Sequence, residues 1–419
     1  MDSVLQKLNE ALQEAVDAFD GPLQQDILAR LTDPDSVPDE ETWKLASKTV
    51  DLADRLVRQI QPPALQLAEN YLAYLDTKCL WTAVSNNMPD LLASGPQSIA
   101  DLARSSSLQP LRLRQVMRVL HNNGIFAYDA ATGLYSNSAS STLLTKSHWT
   151  QWHRWVDLYG NEFYDAARSL PAAVRDGEAR SAAQLEYGTD QTIFAYFAAR
   201  GLQDKFHKTL GAGAVAQAPG MLADYPWEEL GDAVVLDVGG GGGDFVAALL
   251  RAHPTLCGAL LELESVVAMV RPRFREVDGA FADVGDRMAA LHVGDFRDAV
   301  PAYEVYTMKW CLHNWLDEDV VRILSAVRAA IVETPRARMV IIEAVLAEGR
   351  SSRVWRYGDL TMMSTANGQE RTENEWRSLA AQAGWEVKSI SPLRNAWAAA
   401  IDLRPIKGAV GTPTSSHVE

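Results

Sequence analysis

The densest run of chemically useful residues is Asp237-x-Gly239-x-Gly241-x-Gly243, set between the apolar stretch Val234 to Leu236 and the apolar stretch Phe245 to Leu250. The order is that of a buried strand, a glycine turn and a helix. Without Cβ atoms the turn can be tight, and a ligand can lie directly against its backbone. The helix that follows starts with free N–H groups. Such a turn could serve a dinucleotide, a nucleoside cofactor or only a sharp corner. A second apolar strand, Cys257 to Leu261, ends in Glu262. An acid at that separation meets ribose hydroxyls, because a carboxylate can accept from both hydroxyls of one ribose. The turn does not follow the three-glycine dinucleotide fingerprint well.

Further polar residues fall at the ends of later apolar runs. Val293-Gly294 is followed by Asp295-Phe296, an acid beside an aromatic ring that could hold and stack an adenine. Met308 is followed by Lys309-Trp310-Cys311-Leu312-His313-Asn314-Trp315. Ile342 precedes Glu343, and Gly368 opens Gln369-Glu370-Arg371-Thr372.

For these residues to meet, the chain from Ala233 must alternate strand and helix. Strands are expected at 233–238, 257–262, 289–293, 304–309 and 338–344. Between them lie amphipathic helices such as Asp319 to Val332, with Val320, Leu324, Val327 and Ile331 on one face. Alternation of this kind makes a doubly wound, mostly parallel sheet, with ligands at the carboxyl ends of its strands. The strands near 385–390 and 396–403 lack an intervening helix and predict an antiparallel edge hairpin.

The motifs then resemble a known family. Asp237 to Gly243 resembles motif I of class I S-adenosylmethionine (SAM) methyltransferases. Lys309-Trp310-x-x-His313-Asn314-Trp315, with Glu343 and Gln369-Glu370-Arg371-Thr372, resembles the plant and fungal small-molecule O-methyltransferases of the caffeic acid type. The likeness spans roughly residues 65–403. It implies that His313 is a general base that takes the proton of a substrate hydroxyl, with Glu343 and Glu370 orienting the imidazole. It implies that Asp237, Gly239, Gly241, Gly243, Glu262, Asp295, Phe296 and Lys309 hold SAM, and that the enzyme is a homodimer. No metal is implied. Three positions depart from the family pattern: Gly242 where threonine is frequent, Asn314 where aspartate is common, and Glu264 where proline is common.

The upstream chain reads as helical. Residues 3–31 form two amphipathic helices broken near Gly21-Pro22, and a third helix runs to about Gln61, before Pro62-Pro63. A helix from Leu65 to Met88, two shorter helices and a hairpin around Asp129 to Gly133 describe a winged-helix module. The chain carries a formal net charge of −15, so dimerisation suits that module better than nucleic-acid binding. Residues 146–225 are aromatic-rich and predict a connector that lines a substrate pocket. Trp149, His153 and Tyr159 contribute from that stretch, and Met362, Met363 and Asn367 from further on; for the methionines core packing is an equal reading, and for His153 a core or rim position.

The expected organisation is a helical arm (1–61), a winged-helix-like dimerisation domain (62–145), the connector (146–225), a Rossmann-like SAM-binding catalytic domain (226–407) and a frayed tail (408–419). The composition, 47% hydrophobic and 22% charged, is that of a soluble globular protein. Cys79, Cys257 and Cys311 lie far apart without metal-ligand spacing, which suits a reducing compartment such as the cytoplasm. Neither a secretory leader nor a run near the ~20 apolar residues of a bilayer span is evident. Two activities fit this frame. One is O-methylation of a phenolic or enolic natural product. The other is a SAM-binding pericyclase or dehydratase on the same scaffold, since fold does not fix function.

Overall fold

The structure, a computed structural model, describes residues 1–349 and 353–407; the tail from Gly408 lies outside them. Two compact units divide at His148 and Trp149.

The first unit begins with helices Asp2–Asp20 and Glu40–Ile60. Asp39 caps the second, accepting from the N–H of Thr42 at 2.9 Å. Neither these helices nor Pro63–Leu72 buries a residue, while Leu12, Val16, Phe19, Leu45, Leu52 and Ile60 face outward. The single helix expected over Leu65 to Met88 is instead three: Pro63–Leu72, Tyr74–Ser85 and Met88–Leu91. The last break has a physical cause. Asn87 is left-handed at φ 58°, and Pro89 has no N–H with which to continue the preceding helix. The hairpin pairs Phe126–Asp129 with Leu134–Asn137, and a third strand of two residues, Gln97–Ser98, adds to its other side. Met88, Leu102, Met117, Leu120, Phe126 and Tyr135 close the core of this module.

The second unit is built on a seven-stranded sheet. Its strands are β1 (Val234–Val238), β2 (Cys257–Glu262), β3 (Met288–Val293), β4 (Val305–Lys309), β5 (Arg338–Glu343), β6 (Trp385–Pro392) and β7 (Ala399–Pro405). They lie in the order β6-β7-β5-β4-β1-β2-β3. β1 to β5 are parallel, and β7 runs antiparallel between β5 and β6. The chain therefore leaves β1 first toward β3 and then, from β4, toward the other edge. That reversal opens a crevice at the carboxyl ends of β1 and β4.

Side chains alternate between two cores, as the period of a strand requires. Val235, Val305, Val340 and Ile342 pack with Phe245, Val246 and Leu249 of the helix Asp244–Ala252. Leu236, Tyr306, Met308 and Ile341 pack with Val320, Leu324, Trp376 and Trp385 on the opposite face. β1, β4 and β5 are buried on both faces, which is why they read as mostly apolar runs rather than as alternating ones. A separate parallel pair, Val345–Leu346 with Arg371–Thr372, ties the chain beyond β5 to the segment that carries Glu370. Among the described residues, no helix is long and apolar enough to cross a membrane.

Candidate active site

A cavity of about 690 Å3 opens at the carboxyl ends of β1 and β4. Asp237, Gly239 to Gly242 and Lys309 form one part of its wall, and His313 and Glu370 another.

At the glycine turn, Gly239, Gly241 and Gly243 have φ of 66°, 55° and 78°. Side chains strain such a backbone, and sterics reinforce the demand. A Cβ on Gly243 would lie 2.7 Å from Phe274, and one on Gly240 would lie 2.5 Å from the Asp237 carboxylate. At Gly241, which lines the cavity, a Cβ would meet nothing within 4 Å, so there the bare backbone borders open space. Asp237 is buried; its Oδ1 accepts from the Thr307 hydroxyl at 2.9 Å, and its Oδ2 has no hydrogen-bond partner among the described residues. Burial pushes the Asp237 carboxyl up to about 6, against the opposing pull of Thr307.

A pH effect follows. A carboxylate with a raised pKa destabilises the fold as pH rises from its unfolded value through its folded value. The ligand-free Asp237→Asn variant is therefore expected to gain on the native chain between pH 4 and 7, reaching about 2–3 kcal/mol. Parallel denaturant titrations across that range check it; a constant gap would show that Asp237 is not held against its charge.

Glu262, at the end of β2, accepts from the N–H of Gly241 at 3.0 Å and of Leu263 at 2.9 Å. Burial raises its pKa. Each of its oxygens keeps a second lone pair for a ligand. Asp295 is held by Arg297, whose Nε lies 3.0 Å from both carboxylate oxygens, and this pairing lowers the carboxyl's pKa. Phe296 lies against the turn: a Cβ on Gly239 would meet its ring at 3.4 Å. Gly243, Glu262, Asp295 and Phe296 do not line the cavity. Lys309 Nζ stands 4.7 Å from the centre of the Trp310 ring, and burial lowers its pKa despite Asp237 and Glu343 nearby.

His313 sits in a single 3-10 turn, Leu312–Asn314, just beyond β4. Its Nδ1 lies 2.8 Å from Glu370 Oε1 and 3.1 Å from Glu343 Oε2. Glu343, 0% exposed at the end of β5, also gathers the loop: its Oε1 accepts from the N–H groups of Cys311 (2.8 Å), Leu312 (2.8 Å) and His313 (3.4 Å). Glu370 is fixed in turn by Asp359, which accepts its backbone N–H at 2.9 Å. With Nδ1–H directed at the acids, Nε2 remains as the basic nitrogen of the ring. Burial alone would lower the imidazole's pKa, but the Glu343 and Glu370 carboxylates overcome it and raise it to about 9. Burial also raises the pKa of Glu343. His313, Glu343 and Glu370 offer ligand atoms within 4.8 Å of one another, so a divalent ion could span them only by displacing the Nδ1 proton.

Aromatic rings form the apolar wall. Trp155 stacks on Tyr159 at 5.5 Å and meets Trp310 at 5.8 Å and Trp397 at 5.3 Å. Burial pushes the Tyr159 phenol up to about 12, so it stays neutral. Of the expected substrate contacts, Trp149, Tyr159 and Met362 line the cavity. His153, Met363 and Asn367 do not. The reason is helical phase. The helix Arg353–Ala366 presents Val354, Gly358 and Met362 as an i, i+4 stripe, and Met363 is turned about 100° away. The helix His153–Gly160 likewise presents Arg154, Trp155, Leu158 and Tyr159. Asn367 donates instead to the Ala179 carbonyl at 2.6 Å.

Sequence reasoning gave no role to two residues that build this site. Asp359 is one. The other is Arg371, 0% exposed, whose guanidinium donates to the Trp315 carbonyl at 2.7 Å and to Asp317 at 2.9 Å, with longer contacts to the carbonyls of Leu312 and Gln369. It latches the His313 loop to the segment carrying Glu370. The only sequence signal was its place beside Glu370.

Comparison with known proteins gives the following. Residues 168–386 match the family model described as an O-methyltransferase domain, and residues 68–147 match an O-methyltransferase dimerisation domain. The chain is 68% identical over 406 residues to O-methyltransferase verK of Clonostachys rogersoniana, covering 97% of this chain and 100% of that protein. It is 47% identical over 404 residues to O-methyltransferase gliM of Aspergillus fumigatus, covering 96% and 94%. Among solved structures it resembles CalO1, a methyltransferase in calicheamicin biosynthesis in its SAH-bound form (TM-score 0.72, 26% identity, 82% of this chain and 98% of that one). It also resembles LaPhzM (TM-score 0.69, 27% identity, 82% and 100%).

Proposed function

The chain belongs to the small-molecule O-methyltransferase family, and from that membership we propose that it methylates a hydroxyl of a phenolic or enolic natural product, with SAM as donor and His313 as general base. The observation that carries this reading is the imidazole hydrogen-bonded through Nδ1 to Glu370 with the Glu343 carboxylate 3.1 Å away, on the wall of the cavity that also holds the glycine turn. When bound, SAM supplies a methyl group on a sulfonium, open to in-line displacement. The chain supplies position and a base. Asp237, the bare backbone of Gly239 to Gly242 and Lys309 cradle the nucleoside, Glu262 shapes the turn through the Gly241 N–H, and Asp295 with Phe296 buttress that wall. Trp149, Tyr159 and Met362 hold the acceptor. His313 Nε2 takes the hydroxyl proton, Glu370 keeps Nδ1–H in place, and both acids stabilise the imidazolium that results.

Incubation with methyl-labelled SAM and a panel of phenols and enols tests this. The expected result is label in an aryl or enol ether, with one S-adenosylhomocysteine per ether. A rearranged or dehydrated product without S-adenosylhomocysteine would replace methyl transfer by ring-forming or eliminating chemistry.

The protein acts as a homodimer through the module at 68–147. The helices before it support this, since their apolar faces are open in the single chain and large exposed apolar areas mark association. Sedimentation equilibrium is expected to give twice the chain mass; a stable monomer at micromolar concentration would exclude it.

A further inference from the structure

Beside the glycine turn the cavity carries an ion pair to which the reading above gives no role. Asp244 is the first residue of the helix after β1, and Arg273 stands on the helix Glu264–Arg275. The guanidinium meets both carboxylate oxygens, at 2.8 Å to Oδ1 and 3.0 Å to Oδ2, and donates to the Gly242 carbonyl at 2.7 Å. Asp244 and Arg273 both line the cavity, together with Gly211 and Gly242.

Two glycines border this pair. A Cβ on Gly242 would fall 2.6 Å from Asp244 Oδ2 and 2.7 Å from Arg273 Nη1. A Cβ on Gly211, in the helix Gln203–Ala223, would stand 3.5 Å from Asp244. This explains why the turn has glycine where the family often has threonine: the ion pair occupies the side chain's place. The stack of Arg273 on Phe281, 4.1 Å from the ring centre, fixes one face of the guanidinium and leaves its edge for hydrogen bonds. Each Asp244 oxygen keeps a lone pair, and Arg273 keeps its Nε–H and one Nη2–H.

An anion and a cation side by side complement a ligand with the same two charges in reverse. An α-amino acid is such a ligand. The side-chain exposures, 13% for Asp244 and 33% for Arg273, place the pair at a partly desolvated wall, where charged hydrogen bonds are stronger than in water. We infer that Asp244 and Arg273 together recognise the zwitterionic methionine end of the cofactor, Asp244 accepting from its α-ammonium and Arg273 donating to its α-carboxylate. This rests on the SAM reading above.

Two ligands that differ only in that end separate recognition from mere stapling of the helix to the turn. S-adenosylhomocysteine carries the amino-acid end, and 5′-methylthioadenosine is the same nucleoside thioether without it. Calorimetry on the full-length Asp244→Asn and Arg273→Gln proteins, each first shown folded by near-UV circular dichroism, is expected to weaken S-adenosylhomocysteine about 10–100-fold. Binding of 5′-methylthioadenosine should stay within about twofold, and Arg273→Lys should recover part of the loss. Equal losses for both ligands, or none for S-adenosylhomocysteine, would overturn the assignment. If the unaltered protein binds neither, the cofactor reading itself fails.

Discussion

His313→Ala is expected to lower turnover by ~10²–10⁴ while S-adenosylhomocysteine still binds with unchanged affinity. Nδ1 is committed to Glu370 at 2.8 Å and lies 3.1 Å from Glu343, so the proton-accepting nitrogen is Nε2. The glycine turn, by contrast, draws its shape from positive-φ glycines and from Asp237, Thr307 and Glu262, none of which needs the imidazole. Loss of base and loss of cofactor are therefore separable. The pH dependence sharpens the test. A phenol ionises by itself near pH 10. The deficit of the variant should shrink as pH approaches that value, because the base is then no longer required. A merely structural histidine would leave a deficit that does not recover with pH, and undiminished turnover at pH 7 would remove His313 from the mechanism.

Strands β1, β2, β4 and β5 were legible because each is largely buried on two faces and bounded by glycine or charge, whereas the edge strand β3 is only partly buried; β2 runs Cys257–Glu262, as its apolar run predicts. The edge hairpin was legible from the missing helix between its strands. What escaped is of three kinds. Two-residue pairings such as Val345–Leu346 with Arg371–Thr372 are too short for any periodicity, yet this one carries Glu370 toward Glu343. Helical phase decided which neighbour faces the cavity, so Met362 lines it and Met363 does not. Buried arginine contradicts composition: Arg371 is enclosed only because four backbone or acidic oxygens converge on it, and such convergence exists in three dimensions alone. The Gly242 departure was visible from sequence, but its cause, the Asp244–Arg273 pair, was not.

Glu343→Gln is expected to separate the two tasks that one carboxylate performs. Its Oε1 gathers three backbone N–H groups, and the amide oxygen of glutamine can take over that role. Its Oε2, 3.1 Å from His313 Nδ1, supplies charge, which the amide cannot. The two carboxylates raise the imidazole to about 9 against the effect of burial, so removing one lowers it, by about 1–3 units. The acidic limb of kcat/KM should move down in pH by that amount. The plateau should fall about 10–10²-fold, because the imidazolium formed during proton transfer has lost a counter-charge. Stability moves in step. A histidine with a raised pKa contributes stability fully present below its unfolded value of ~6.5 and lost as pH rises through about 9. In Glu343→Gln that loss should still begin near ~6.5 but be complete at lower pH and be smaller in total. Glu343→Ala is the harsher comparison. It leaves the loop N–H groups without their acceptor and one acid alone with the imidazole, and about 3–5 kcal/mol of stability should go with it. If Glu343→Gln keeps the native acidic limb, Glu370 alone sets the basicity of His313, and Glu343 serves only to hold the loop.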